Sequence, residues 1–251
     1  MACQTGRPFS FMTQALSVTN LSYSVPSLDI LRSLTLDVGD QQYYAIAGIN
    51  GAGKSTLIKL ILDLIRPLPG GTIKIYGVDN RDRQCRDRLA YLPEKFDVKK
   101  NISGRQYLDF IADVYHQKTD RRQLAELAEK LDFPPERLDT RVGGYSKGMV
   151  QKLGLVSCFM LERPLLILDE PLSGLDPRAR FHFKQLMHEQ RNADRTVLYS
   201  THLLADAEDL CDRFGILHDG EMKYQGTPDD CLQRYRAGSL EQAYMNCISG
   251  N

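Results

Sequence analysis

"GINGAGKST", residues 48–56, is the stretch that decides the fold. Gly48 to Ser55 satisfy the spacing G-x-x-x-x-G-K-[ST] between a strand pattern and a helix pattern, which is typical of a phosphate-binding loop. The glycines let successive backbone N–H groups face an anion, and the following helix adds its positive end. We therefore expect Lys54 at the β- and γ-phosphates, Ser55 on magnesium and Thr56 at the α-phosphate. A glycine-rich turn without a ligand is the alternative.

Strand and helix patterns alternate on both sides of this loop. Such alternation predicts an α/β fold with a mainly parallel sheet, an antiparallel β flank and a helical subdomain. Together with the phosphate-binding motif, it indicates a P-loop NTPase core. We expect an N-terminal extension over 1–14, a nucleotide-binding domain over 15–226 with its helical subdomain at about 95–162, and a helix with a tail over 227–251.

"LLILDEP", residues 165–171, supplies the second half of a nucleotide site. Its aliphatic run predicts a buried strand that ends at Asp169 and Glu170. Asp169 is placed to hold the magnesium shell, and Glu170 to polarise a water for attack on the γ-phosphate. His202 ends the next strand pattern, "TVLYSTH", where a parallel sheet brings a side chain towards the γ-phosphate. A solvated acidic strand end and an ordinary core histidine are the alternatives.

Composition excludes several classes of protein. The 251 residues carry 32 Lys plus Arg and 32 Asp plus Glu, so no overall field favours nucleic acid. The six cysteines show no paired spacing, which argues against a zinc site or a disulfide framework and indicates a reducing compartment. No apolar run approaches the ~20 residues of a membrane helix, and the first residues lack a secretory pattern. We expect a cytoplasmic protein.

"YSKGMVQKLGL", residues 145–155, begins as a second anion-binding helix start. Ser146, Lys147 and Gly148 place a hydroxyl, a cation and a bare backbone amide at a helix N-terminus, nearly a hundred residues after the first phosphate loop. The sequence thus contains two half-sites for phosphate.

Six motifs in order, "GINGAGKST", "YLPE", "YSKGM", "LLILDEP", "SGLDP" and "STH", resemble those of the ATP-binding-cassette (ABC) ATPases over residues 15 to 226. The resemblance implies binding of ATP and Mg²⁺ and hydrolysis of ATP. It makes Glu170 the catalytic base, with Lys54 and His202 beside it, and Glu94 stands at the Q-loop position near the metal. The nucleotide-binding residues that it implies are Tyr23, which stacks on adenine, Gly48, Asn50, Gly51, Ala52, Gly53, Lys54, Ser55, Thr56, Ser146, Gly148 and Asp176.

The resemblance also implies partners. In this family two cassettes pack head to tail, so Ser146 and Gly148 would bind the γ-phosphate held by a second chain. We expect a homodimer, or a pair with a related cassette, at the cytoplasmic face of a membrane through a permease subunit. "YLPE" with "YSKGM" is similar to cassettes of drug, haem, sodium and antibiotic-type exporters. We expect no nucleic-acid partner, and the substrate pathway belongs to the permease.

Two residue positions depart from the family pattern. Glu94 replaces the usual glutamine, which keeps an oxygen near magnesium but removes an amide donor. "YSKGM" replaces LSGGQ, so Lys147 and Met149 stand for a glycine and a glutamine. We further expect the loop 93–102 to form part of the permease docking groove, with Phe96 as its exposed apolar residue.

Two other functions stay open at this point. One is a soluble cassette that acts as a mechanical switch on ribosomes or DNA. The short spacing between Lys54 and Ser146 and the neutral charge speak against it. The other is a regulatory cassette that binds ATP without hydrolysis, which the altered signature permits but which intact Lys54, Asp169, Glu170 and His202 disfavour.

Overall fold

The computed structural model describes residues 14–191 and 194–249. Of the expected N-terminal extension, residues 1–13 lie outside the described residues, and Gln14 already belongs to the first strand. The described residues form ten strands: β1 Gln14–Val25, β2 Leu28–Gly39, β3 Tyr43–Ala47, β4 Thr72–Ile75, β5 Val78–Asp79, β6 Leu89–Leu92, β7 Leu165–Leu168, β8 Thr196–Thr201, β9 Arg213–His218 and β10 Glu221–Gly226.

The same residues form eight α-helices and three short 3₁₀ turns. The helices are α1 Lys54–Ile61, α2 Gly104–Val114, α3 Arg121–Lys130, α4 Lys147–Phe159, α5 Pro177–Gln190, α6 Leu204–Leu210, α7 Pro228–Arg234 and α8 Leu240–Ser249. The turns cover Arg83–Arg88, Pro135–Asp139 and Val142–Gly144.

Two sheets confirm the predicted fold class. The larger sheet has the order β10-β9-β3-β8-β7-β6, and its pairs are parallel except β10 with β9. The smaller sheet has the order β2-β1-β4-β5 and is antiparallel throughout. Since β3, β7 and β8 are parallel neighbours, the loops that follow them meet at one edge, where such sheets bind ligands.

Alternate residues of the central strand β3 face two apolar layers. Tyr43, Ala45 and Ala47 belong to the layer shared with the helical subdomain and the C-terminal helices. Tyr44 and Ile46 belong to the layer between the large sheet, α1 and the small sheet. All five are buried. The sequence of a strand that is covered on both faces is a continuous apolar run, and the β3 sequence "YYAIA" has this pattern.

Helix α1 ends earlier than its apolar pattern predicts. The pattern runs to residue 65, but the helix stops at Ile61, and Asp63 adopts a left-handed backbone with φ 55°. The Asn80 side chain donates to the carbonyls of Leu60 at 2.8 Å and Ile61 at 3.1 Å. These bonds satisfy carbonyls that a helix end leaves free, so a residue distant in sequence fixes the boundary.

Helices α2, α3 and α4 lie within the region expected to form the helical subdomain. Asp132, which follows α3, ties this subdomain to α5. One carboxylate oxygen lies 3.0 Å from Nζ of the buried Lys152 in α4, and the other lies 2.9 Å from Nη2 of Arg178 in α5. The Lys152 ammonium also donates to the Asp132 carbonyl at 2.7 Å.

The C-terminal segment corrects our expectation of one helix with a tail. It forms two helices, α7 and α8, separated by a turn in which Arg236 has φ 48°. Leu240, Ala243 and Tyr244 of α8 are buried in the main core, so apolar residues at helical spacing order this segment. Across residues 14–191 and 194–249, none of the helices combines the length and apolar character needed to cross a bilayer.

Candidate functional site

An open cavity of about 460 Å³ lies at the edge of the large sheet where β3, β7 and β8 end. It collects residues from the 48–56 loop, from the acidic strand end and from the end of β8. Its lining residues are Leu28, Ile30, Asn50, Gly51, Gly53, Lys54, Ser55, Thr56, Glu94, Glu170, Ser173 and His202. Most of the predicted site residues therefore meet in one cavity.

Backbone geometry explains the glycines of the 48–56 loop. Gly51 and Gly53 have φ values of 86° and 107°, which side-chain-bearing residues rarely adopt. Gly53 is the N-cap of α1 and has no side chain to occupy the first amides of the helix. A Cβ on Gly48 would lie 2.4 Å from the Leu217 carbonyl oxygen, so no larger residue fits. The loop is shaped to present N–H groups to an anion.

Lys54 is a buried cation held by the loop itself. Its Nζ atom donates to the carbonyls of Gly48 at 2.7 Å and Ile49 at 3.2 Å. It also lies 3.3 Å from Oε1 of Glu170, and both side chains are at most 10% exposed. Because a buried charge requires partners, these contacts fix the ammonium at the centre of the cavity.

Ser200, one residue before the end of β8, organises the acidic strand end. Its hydroxyl donates to Oδ1 of Asp169 at 2.5 Å and accepts from the Glu170 backbone N–H at 2.8 Å. Asp169 is only 2% exposed. Burial raises the pKa of the Asp169 carboxyl, the hydrogen bonds of Ser200 and Ser55 lower it, and the nearby carboxylates raise it further.

Glu170 points in another direction from Asp169 because its backbone is left-handed, with φ 49°. Such a conformation is uncommon and costs roughly 1 kcal/mol or more for a residue with a side chain. The Ser200 hydrogen bond helps to hold it. Oε2 of Glu170 lies 2.7 Å from Nδ1 of His202, whose side chain is 41% exposed. A carboxylate is thus fixed between Lys54 and His202 at the cavity.

The donor set fits a magnesium ion that is completed by phosphate. Ser55 lies near enough to Asp169 to lower the pKa of its carboxyl, and the exposed Glu94 lines the same cavity as Ser55. In the described part of the chain, no group of three or more His, Cys, Asp or Glu side chains forms a self-sufficient metal site. Mg²⁺ usually takes only one or two carboxylates, with phosphate oxygens and water filling the other positions. Ser55 and Asp169 meet that requirement.

Tyr23 is not brought to the cavity. It is half-buried against the apolar layer beneath the small sheet, while Leu28 and Ile30 of β2 line the cavity instead. The register of β1 shifts between Val18 and Leu21 and again beside Tyr23. Bulges of this kind change which face of a sheet the following side chains lie on. The apolar side chains that line the cavity are those of Leu28 and Ile30.

Ser146, Gly148 and Asp176 are likewise not among the lining residues of this cavity. Ser146 is the N-cap of α4, with its hydroxyl accepting from the Met149 N–H at 3.2 Å. Asp176 is the N-cap of α5 and accepts from the Ala179 N–H at 2.8 Å. The Lys147 side chain at the start of α4 lies over Gly174, which precedes α5. This contact brings the start of α4 next to the segment that leads into α5.

Three of the predicted nucleotide-site residues do not line the cavity with their side chains. The Gly48 carbonyl holds Lys54, Ala52 is buried in the apolar layer under the loop, and Asp169 lies behind Ser55. Sequence reasoning missed Ser200. The β7–β8 register, which pairs Leu168 with Tyr199, places Ser200 next to Asp169, but only a strand alignment could have revealed it.

Comparison with known proteins identifies the arrangement. The profile of the ABC transporter family matches residues 31–173. The chain is 34% identical to the uncharacterized ABC transporter ATP-binding protein YxlF of Bacillus subtilis, over 94% of this chain and 78% of that protein. It is 32% identical to an uncharacterized ABC transporter ATP-binding protein of a Nostoc species, over 80% of this chain. The match spans 61% of the length of that relative.

Two further matches extend the comparison. The chain is 31% identical to the Nod factor export ATP-binding protein I of Rhizobium meliloti, over 91% of this chain and 69% of that protein. Among solved structures, an ATP-binding subunit of an ABC transporter superposes with a TM-score of 0.85 at 36% identity, covering 93% of this chain and 99% of that one. The resemblance deduced from the six motifs is confirmed.

Proposed function

The chain belongs to the ABC transporter family as an ATP-binding protein, and from that premise we propose that it is the ATP-hydrolysing subunit of a membrane exporter. The observation that carries the proposal is the position of Glu170. Its carboxylate is held 2.7 Å from His202 and 3.3 Å from Lys54, at the edge of a cavity bordered by a phosphate-binding loop.

In this proposal the phosphates of ATP lie on the N–H groups of the loop and the first turn of α1. Lys54 exchanges its carbonyl contacts for the β- and γ-phosphates, and Leu28 and Ile30 offer apolar surface to the base. Ser55 and Asp169 would hold Mg²⁺, which would supply charge neutralisation at the phosphate oxygens. Glu170 takes the proton of the water that attacks the γ-phosphorus. The bond to ADP breaks, and ADP and phosphate leave.

A second chain is needed because the two phosphate half-sites do not meet within one chain. The start of α4, with Ser146 and Gly148, does not line the cavity formed by the 48–56 loop. Two chains packed head to tail would place each α4 start on the ATP of the other. Both residues are at least partly exposed. We infer a homodimer with two composite sites whose closure drives transport.

The permease would dock in an apolar groove of about 460 Å³ between the end of α1 and the end of α2. Its lining includes Leu64 and Val114, which are 62% and 55% exposed. Exposed apolar side chains around a groove suit an amphipathic helix, and we assign this groove to a cytoplasmic helix of the permease. Phe96, which we expected to be exposed, is partly buried and packs edge-on against Tyr107 with ring centroids 5.6 Å apart, so we place the docking site at this groove.

Transport out of the cell is the direction that the relatives favour. The Rhizobium relative is named for export of Nod factor, and a further relative of Bacillus subtilis, 27% identical, is named for linearmycin resistance. These names describe those proteins. For this chain they support an exporter whose substrate is set by its permease, with the ATPase peripheral on the cytoplasmic face.

Purification from the native host tests this function. Tagged Glu170→Gln protein, extracted in mild detergent with Mg-ATP, should carry an integral membrane protein with it. Leu64→Asp in the same background should lose that partner because it places a charge in the apolar groove. Phe181→Asp is the matched control, since Phe181 is 58% exposed on α5 away from the groove, and it should retain the partner. Recovery of ribosomes or DNA instead would contradict the exporter assignment.

A further inference from the structure

Glu170 has a backbone conformation that the residue after it disfavours. Its φ of 49° is left-handed, and the next residue is Pro171. A residue before proline is pushed towards an extended backbone, because the proline ring crowds it. A conformation of this kind persists only where the surrounding contacts impose it. We therefore expect contacts that restrain the chain on both sides of Glu170.

Three hydrogen bonds restrain this part of the backbone. The Glu170 N–H donates to the Ser200 hydroxyl at 2.8 Å, and the Glu170 carbonyl accepts from the Ser173 N–H at 3.0 Å. Pro171 has no N–H, so its backbone can form a hydrogen bond only through its carbonyl. That carbonyl accepts from Nε2 of Gln151 at 3.1 Å, and no other hydrogen bond reaches it in the described part of the chain. Gln151 thus fixes the backbone on the far side of the proline.

Gln151 lies on the face of α4 that packs against the segment after Glu170. It is 6% exposed and comes three residues after Gly148, and residues three apart share one face of a helix. A Cβ on Gly148 would lie 3.4 Å from the Gly174 carbonyl oxygen. Helix α4 therefore contacts this segment both at Pro171 and at Gly174.

We propose that Gln151 is a positioning residue for Glu170, acting through the Pro171 carbonyl. The inference rests on the proposed role of Glu170 as the base in ATP hydrolysis. Without this hydrogen bond, the backbone at Glu170 can relax towards the extended conformation that a following proline favours. The carboxylate would then leave its place between Lys54 and His202. Gln151 does not line the cavity, so its loss should lower the rate of hydrolysis and not the affinity for ATP.

Gln151→Met tests the proposal, because it keeps the length of the side chain and removes the donor. The kcat for ATP hydrolysis should fall about 3- to 10-fold, the effect of one net hydrogen bond. The Kd of a non-hydrolysable ATP analogue, measured by calorimetry on the same preparation, should stay within about 2-fold of wild type and shows that the site is folded. Gln151→Asn, which keeps the amide on a side chain one methylene shorter, should give the same result.

Gln117→Met is the matched control. Nε2 of Gln117 donates to the Met160 carbonyl at 2.7 Å, at the other end of α4 and away from the cavity. The Gln117 side chain also accepts from the Glu162 N–H at 2.9 Å. The thermal midpoint of this variant should therefore fall as well, but its kcat should stay at the wild-type value. An equal loss of kcat in Gln117→Met and Gln151→Met would show an effect of stability alone and would overturn the inference.

A double-mutant cycle measures whether Gln151 acts through Glu170. In the Glu170→Gln background, Gln151→Met should leave the residual ATPase rate unchanged, because the carboxylate that Gln151 positions is absent. A further fall as large as that in the wild-type background would overturn the inference, and so would a wild-type kcat in both Gln151 variants. Wild-type protein that does not hydrolyse ATP would instead overturn the proposed function.

Discussion

Oε2 of Glu170 and Nδ1 of His202 lie 2.7 Å apart, which joins the ends of two neighbouring parallel strands across the candidate site. The contact orients the carboxylate from one side while Lys54 contacts it from the other. A general base is effective only when its geometry is fixed relative to the water that it activates. In the proposed hydrolysis, this pair would hold the carboxylate in line with the attacking water.

Ser200→Ala should disturb both carboxylates at once. It removes the donor to Asp169 and the acceptor of the buried Glu170 N–H, and an unsatisfied buried group costs about 1–3 kcal/mol. We expect the thermal midpoint to fall by several degrees and the Mg²⁺ concentration for half-maximal ATPase activity to rise. Ser157→Ala is the control, because Ser157 is also buried but donates to the Gly154 carbonyl within α4, away from both carboxylates. Equal Mg²⁺ requirements in both variants would show that Ser200 does not support binding of the metal.

Ser146→Ala should weaken ATP-dependent dimerisation more than binding of ATP by one chain. Ser146 caps α4 outside the cavity of its own chain, so its loss should act on the second chain. Light scattering with Mg-ATP in the Glu170→Gln background measures dimers, and calorimetry measures binding. Thr227→Ala is the matched control, since it removes the N-cap of α7, worth about 1 kcal/mol, without touching either half-site. Dimerisation equal to that of the control would contradict the composite site.

Asp132→Asn should make stability less dependent on acid pH. Burial raises the pKa of Asp132, but the hydrogen bond and charge of Lys152 and the charge of Arg178 outweigh burial and lower it. A lowered folded pKa means that the ion pairs stabilise the protein above the unfolded pKa, near 3.9, and that this stability is lost as pH falls below it.

Thermal unfolding from pH 7 to pH 3 measures this difference. At pH 7 the variant should melt about 3–8 °C below wild type, because it leaves Lys152 with an uncharged partner. The gap should narrow below pH 4. Asp113→Asn is the control, because Asp113 is exposed. Its melting temperature should equal that of wild type at both pH values. A constant gap across the range would show that the Asp132 charge is not what joins α4 to α5.

Local patterns sufficed to predict the phosphate-binding loop, the acidic strand end and the alternation of strands and helices. Features that depend on distant residues were not predictable in this way. Ser200 reaches Asp169 through the register of two strands, and Asn80 ends α1 from another segment. Tyr23, which the family resemblance assigned to adenine, lies in a strand with shifted register and does not line the cavity. In each case the contacts of a side chain, or the end of a helix, depend on residues that are distant in sequence, so a local pattern does not predict them.

The measurement that tests the account most directly is the steady-state ATPase rate of Glu170→Gln. Glutamine keeps the size of the side chain but cannot accept the proton of the attacking water. We predict a fall in kcat of about 10²-fold or more, with the Kd for ATP within a few fold of wild type. Glu162→Gln, at an exposed carboxylate outside the cavity, should retain the wild-type rate. Wild-type turnover in Glu170→Gln would contradict the role assigned to Glu170 and with it the proposed mechanism.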